Sequence, residues 1–278
     1  MTPLTERADP PRLLPRITEW RLLRSGPMSG AENMACDEAL LMGVTHALDL
    51  GEAPAVTLRL YTWEPPAVSL GYHQRAEDLD LERLRAEGVP VVRRPTGGRA
   101  IYHARELTYA VAGPLDLFGR GTSVLASYRA LSAPILEGFR MAFGVDARLA
   151  AKRPEPGPAD RSPVACFARP APCDAVAGGT KIVGSAQVRR RGAFLQHGSI
   201  PLAPREKLER SVLLGAGARR IDTLGSLSEA AGHPVSMGDA AEAVIAGFAA
   251  VFGVKFVEGE LCADEREVME SAVPKTTV

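Results

Sequence analysis

Lysine is scarce in this chain of 278 residues: only positions 152, 181, 207, 255 and 275 carry it, and arginine supplies the rest of the 33 basic residues. Those 33 charges are matched by 33 Asp and Glu, so no global field draws the chain to nucleic acid. Long apolar runs are missing too. No stretch approaches the roughly 18 residues that span a bilayer, and the N-terminus has no basic stretch followed by an apolar core, so a cytoplasmic chain without a membrane partner is expected. The four cysteines, Cys36, Cys166, Cys173 and Cys262, form no C-x-x-C and have no ligand spacing with the five histidines. That argues against zinc, and free thiols in a reducing compartment fit best. What is present is a chain 46% hydrophobic, long enough to bury a full core.

Residues 1–16 hold several prolines and little apolar periodicity, and read as a mobile leader; residues 17–278 read as a single domain whose part beyond about 204 is mainly helical. Apolar residues at helical spacing from Glu32 to Leu50, with Ser29 or Gly30 before them and Gly51 after, predict an amphipathic helix. Strands are expected at 55–63, 67–72, 89–94, 99–103 and 107–112, and a helix at 78–88. Long helices follow at 123–143 and 239–252, the second hydrophobic enough to be mostly buried. The Pro-rich stretch 152–172 has no period and reads as a long loop, before strands at 175–177, 181–189 and 193–202. Irregular alternation without repeats predicts an α/β (α+β) architecture, a mixed β-sheet covered by helices.

Three stretches can carry chemistry. In Arg93-Arg94-Pro95-Thr96-Gly97-Gly98-Arg99, two glycines follow a buried strand and let backbone amides approach an anion among three guanidinium groups; a tight turn with solvated arginines accounts for the same residues. His103, four residues on, is available as donor or base, or is a satisfied structural residue. The strand ending Gln196-His197-Gly198-Ser199 lets another chain or ligand pass close to its backbone, with a capped strand end and a core histidine as the plainer account. Lys181 precedes Ile182-Val183-Gly184-Ser185-Ala186, so its stem can be buried with the ammonium in a cleft, or it is a strand-start lysine facing water. Cys166 lies fifteen positions before Lys181, in a Pro-rich loop with no periodic reason to be buried, and a thiol near an ammonium can be held as the nucleophilic thiolate. Cys36 lies beside Ala35 on the buried face of the first helix and reads as a small core residue, as Cys173 also does.

Taken together these residues resemble the biotin/lipoate ligase-like family, from about Trp20 to about Leu202. Asn33-Met34-Ala35-Cys36-Asp37-Glu38-Ala39-Leu40 is similar to its first-helix signature, residues 93–103 to its ligand-binding loop, and residues 181–187 with 196–199 to its lysine strand and the next. Within the family, the lipoate ligases usually carry a third glycine in the loop and an Asp after the His, where this chain has Arg99 and Ala104. The run Cys166-Phe167-x-x-Pro170 matches the nucleophile segment of the cysteine-dependent octanoyltransferases.

The resemblance implies a biotin/lipoate ligase-like catalytic domain in which Cys166 and Lys181 are catalytic. Octanoyl-acyl carrier protein would be the donor, and a lysine of a lipoyl domain or of glycine-cleavage H protein the acceptor. Substrate would be held by Arg93, Thr96, Gly97, Gly98, Arg99, His103, Gly184, Ser185, Ala186, His197, Gly198 and Ser199, with the backbone amides and Arg99 stabilising an oxyanion or holding pantetheine. No cofactor and no metal are expected; ATP and Mg would enter only for a lipoate ligase, and a lipoyl-protein amidotransferase is the other alternative. Arginines 189–191 offer a local basic patch for an acidic carrier protein, or a solvated turn.

Overall fold

The computed structural model describes residues 17–150, 174–204 and 225–278. The leader 1–16, the Pro-rich stretch around Cys166, and Cys173 lie outside the described residues.

Eleven strands and six helices follow in chain order among these residues: β1 (Glu19–Met28), α1 (Gly30–Asp49), β2 (Thr57–Trp63), β3 (Ala67–Leu70), α2 (Leu81–Ala86), β4 (Val91–Arg93), β5 (Ile101–His103), β6 (Glu106–Pro114), α3 (Val124–Phe143), β7 (Arg148–Leu149), β8 (Ala175–Ala177), β9 (Thr180–Arg190), β10 (Ala193–Pro201), α4 (Leu227–Ala231), α5 (Met237–Phe252), β11 (Lys255–Glu258) and α6 (Ala263–Thr276). They build an eight-stranded mixed sheet, ordered β11-β1-β2-β6-β10-β9-β8-β7, and a three-stranded sheet, β4-β3-β5. The expected mixed sheet covered by helices is what forms.

Strand β6 shows how the large sheet serves two layers. Every residue of it is buried, and its side chains alternate: Leu107, Tyr109 and Val111 join the core beneath α3 and α5, while Ala110 and Ala112 join a second core beneath α1. Helices α3 and α5 cross at Gly138 and Gly247, where a Cβ on either glycine would come within 2.0 Å of a carbonyl of the other helix. Trp20 of β1 is fully buried among Phe248, Phe252 and Phe256. The small sheet closes a third core with Leu84 of α2.

Helix α1 begins where its sequence says it should. Ser29 accepts a hydrogen bond from the Glu32 amide and Glu32 returns one to the Ser29 amide, a reciprocal cap. Helix α2 is shorter than the expected 78–88, because Asp80 caps it and Ala76–Asp78 forms a separate 3₁₀ turn. Strands β1, β7 and β11 were not expected. Strand β1 pairs in parallel with both β2 and β11, the latter more than 200 residues away, and such pairing leaves no turn signal in the sequence. Helix α5, expected to be mostly buried, buries one face through Ala240, Ala243, Val244, Gly247 and Phe248.

Candidate functional site

Register across the large sheet lays out the site. Arg59 of β2 pairs with Ala110 of β6, Ala110 with His197 of β10, and His197 with Ala186 of β9, so all four stand in one row facing α1. The neighbouring row is Tyr61, Thr108, Ser199 and Gly184. Ala110 is small, and the room it leaves between Arg59 and His197 is taken by Asp37 of α1.

Asp37 is fully buried and meets three donors: Arg59 Nη1 at 2.7 Å, the Tyr61 hydroxyl at 2.9 Å and His197 Nδ1 at 2.7 Å. Arg59, also fully buried, spends its other donors on Asn33 Oδ1 at 2.7 Å, Asn33 O and Ser25 Oγ, and its guanidinium stacks over the Tyr61 ring at 3.9 Å. Burial alone would raise the Asp37 pKa, but the His197 hydrogen bond and the Arg59 charge outweigh it and hold the carboxyl below its usual range. Burial, reinforced by the Asp37 charge, pushes the Tyr61 phenol well above its ordinary value, so it stays a donor. The other imidazole nitrogen of His197, Nε2, lies 2.7 Å from Thr96 Oγ1 in the loop after β4.

A second carboxylate–imidazole–hydroxyl chain faces the first. Glu106 Oε1 lies 2.7 Å from His103 Nδ1, and His103 Nε2 lies 2.7 Å from Ser69 Oγ, which also accepts from Arg94 Nη1 at 3.1 Å. Glu106 further accepts from Thr108 and Ser199, and Thr108 in turn accepts from Trp63 Nε1 at 2.8 Å. The Trp63 and His103 rings stack 3.8 Å apart and nearly parallel. Burial lowers the His103 pKa despite the Glu106 charge, which keeps the imidazole neutral; Glu106 stays ionised because its donors together outweigh its own burial.

Between the two chains lies a pocket open to solvent, with about 400 Å³ of empty space when the part continuous with solvent is included, bounded by Met34, Tyr61, Trp63, Ser69, Arg94, Gly98, Ile101, His103, Thr108, Gly184, Ser185, Ala186, His197, Gly198 and Ser199. The polar side chains in this wall spend their polar atoms on one another and on groups behind the wall, such as Asp37, Thr96, Glu106 and Tyr109, so the surface they turn inward is largely carbon. An apolar acyl chain fits such a space.

Seven of the residues selected from the sequence, Gly98, His103, Gly184, Ser185, Ala186, Gly198 and Ser199, thus meet in one cavity with an eighth, His197. Thr96 is buried behind His197, and Gly97 continues the loop. Arg93 is turned inward beneath the loop, where its guanidinium donates to the carbonyls of Gly71, Tyr72 and Gln74. Arg94 likewise holds the carbonyls of Ser69, Gly97 and Arg99, so Arg94 braces the double-glycine loop and Arg93 the segment after β3, while the Arg99 side chain is exposed. Gly98 adopts φ +95°, and its carbonyl passes so close to Gly71 that a Cβ there would sit 2.0 Å from it.

Lys181 is buried, with its ammonium 2.8 Å from Asp174, at the start of the strand whose next residues edge the cavity. Cys166 is outside the described residues. Cys36 lies on the buried face of α1, and desolvation pushes its thiol up to about 11, which leaves it unreactive. The arginines of the 189–191 turn are engaged one by one. Arg189 folds onto the first turn of α3 through Thr122, Ser123 and Ser127, Arg190 pairs with Glu38, and Arg191 lies 3.8 Å from Asp49.

Several contributors were not selected from the sequence. Arg59, between Leu58 and Leu60 in an alternating strand, and Asn33 and Asp37, four apart on the apolar face of α1, are polar residues at core positions, a signal that was there to be used. Glu106 was harder to find. The partner of His103 comes three residues later, across a turn in which Arg105 takes φ 48°.

The chain is similar to known proteins in both sequence and fold. The family model of the lipoyl protein ligase A/B catalytic domain matches residues 29–249. The chain is 44% identical over 269 residues to "Octanoyltransferase LipM" of Kyrpidia tusciae, covering 92% of this chain and 95% of that one. It is 43% identical over 265 residues to the protein of the same name from Symbiobacterium thermophilum, covering 91% and 93%. Among solved structures, the T. acidophilum protein Ta0514 with bound lipoic acid superposes with a TM-score of 0.74 at 25% identity, over 92% of this chain and 95% of that one.

Proposed function

The chain belongs to the lipoyl protein ligase A/B catalytic-domain family, and from that premise we propose how it carries out its reaction, octanoyl transfer in protein lipoylation. The octanoyl group leaves the thioester of an acyl carrier protein, rests on Cys166 as a second thioester, and passes to a lysine of a lipoyl domain or of glycine-cleavage H protein. The observation that carries this reading is the largely carbon-walled pocket along β9 and β10, whose lining suits a saturated chain.

In the first half-reaction the Cys166 thiolate attacks the carbonyl carbon of the donor thioester. The bond to the pantetheine sulfur breaks, and that sulfur takes up a proton and leaves as a thiol. In the second, the acceptor amine attacks the acyl-Cys166 carbon, an amide forms, the amine gives up a proton and the Cys166 thiolate returns. Lys181 serves the first step by favouring thiolate over thiol. Exposed Arg99 and the amides of the double-glycine loop serve as contacts for the oxyanion or the pantetheine arm. The acyl group arrives already activated as a thioester, so the reaction needs neither ATP nor a metal.

Two features bear on the setting. No helix among the described residues is long and apolar enough to cross a membrane. The partners are other proteins, so the carbonyl must lie where they can reach it, at the cavity's opening.

The test is intact-protein mass spectrometry of the purified chain mixed with octanoyl-acyl carrier protein in the absence of ATP. The wild type should gain one hydroxylamine-labile octanoyl group that Cys166→Ser does not. Lipoyl-domain modification that requires ATP and a free acid, with no adduct on the chain, would overturn the thioester route in favour of a ligase.

A further inference from the structure

The cavity has a direction. Of the residues that bound it, Gly98 is exposed and Ser185 and Ala186 are half-buried, whereas Met34 and Tyr61 are each 1% exposed. The opening therefore lies between the double-glycine loop and β9, and the closed part is formed against α1 and β2. An acyl chain enters methyl-first, because its carbonyl carbon has to meet a sulfur and an amine carried by other proteins. Its terminal methyl then reaches the closed part.

The residues there differ in how far they can adjust. Tyr61 is held by Asp37, and Trp63 is held by Thr108 and by its stack on His103. Met34 is unbranched, with three rotatable bonds and no polar group for those networks to grip. Its backbone, in contrast, is clamped: a Cβ on Gly30, one turn earlier in α1, would already sit 3.1 Å from Ala67 and 3.2 Å from Val92 of the small sheet. Close packing of α1 on the small sheet resists any nearer approach of the helix, so the Met34 side chain is the adjustable part of the closed end. We infer that Met34 determines the length of acyl chain the cavity accepts, by end-on contact with the terminal methyl. This rests on the octanoyl-transfer mechanism proposed above.

Truncation to alanine removes three heavy atoms beyond Cβ and opens room for roughly two methylenes, each worth about fourfold in affinity once buried. The test titrates hexanoic, octanoic, decanoic and dodecanoic acids into the wild type, Met34→Ala, Met34→Phe and the volume-conserving Met34→Leu. Transfer rates from acyl carrier proteins loaded with the same chains are measured in parallel. The wild type and Met34→Leu should prefer eight carbons. In Met34→Ala the ten-to-eight-carbon ratio should rise at least tenfold, and Met34→Phe should move the preference to six. If Met34→Ala does not fold, Met34→Phe still reads the opposite displacement. An unchanged order of preference in the folded variants, or a wild type that binds none of the acids, overturns the assignment. A displaced binding order without transfer from any carrier would instead refute the transfer mechanism and leave the role of Met34 standing.

Discussion

Removing the Asp37 carboxylate should cost the fold more than any other single change at the site. The carboxylate compensates Arg59, whose guanidinium is fully buried, and also receives the Tyr61 hydroxyl and His197 Nδ1. In Asp37→Ala the guanidinium keeps Asn33 and Ser25 as neutral partners but loses its counter-charge. Breaking a buried ion pair in this way costs about 3–5 kcal/mol, a large share of a typical total stability of about 5–15 kcal/mol. Urea unfolding followed by the fluorescence of Trp20 and Trp63 reads this directly. With a urea slope of about 3 kcal/mol per molar, the midpoint should fall by roughly 1–1.7 M. The double variant Asp37→Leu with Arg59→Met removes both charges and should regain most of that loss, because neither desolvated charge remains. It should still lack the His197 hydrogen bond, so its transfer activity should stay impaired while its stability returns. A cost below about 1 kcal/mol for Asp37→Ala would refute the reasoning, since it would mean that Arg59 reaches water when unpaired.

Other expectations follow from the same geometry. The folded His103 pKa is below its unfolded value, so the unfolded state binds the extra proton first and stability is lost as pH falls from about 6.5 through the folded pKa. The depressed Asp37 and Glu106 act in the same direction at lower pH. Urea midpoints of the wild type should thus decline between pH 7 and pH 5, and His103→Gln should flatten that decline; a parallel slope in the variant would show that another group is responsible. Gly71→Ala should displace the Gly97–Gly98 loop, because the new Cβ would meet the Gly98 carbonyl at 2.0 Å; a stability loss of about 1–3 kcal/mol with weakened donor binding is expected, and a wild-type KM for the donor would count against it. Lys181→Ala should slow octanoylation of Cys166 about tenfold or more at pH 7 in stopped-time mass spectrometry, with most of the rate regained at pH 9, where an ordinary thiol ionises unaided. Equal rates at both pH values would remove Lys181 from that role.

The sequence by itself determined the elements that announce themselves locally. Helix α1 was legible from its period and its Ser29–Glu32 cap, α3 and α5 from their apolar stripes, and the hairpin of β9 and β10 from its alternation and Gly192 turn. The glycines of the 97–98 loop and the Gly184–Ala186 run could be selected because small residues mark close approach. Only the tertiary structure decided which distant residues share a row and which neighbours change roles. Strand register placed Ala110 between Arg59 and His197, and with it the gap that Asp37 fills. Arg93 and Arg94, which the motif offers as anion contacts, were drawn inward by unpaired loop carbonyls, since a buried C=O needs a donor. His103 found its acid at Glu106, three positions along rather than at the next residue, because a bend at Arg105 turns that carboxylate back towards the ring. Hydrophobic period and turn chemistry act over a few residues and can be read from a string. Pairing across a sheet and the compensation of buried charge are settled only when segments distant in the sequence compete for the same space.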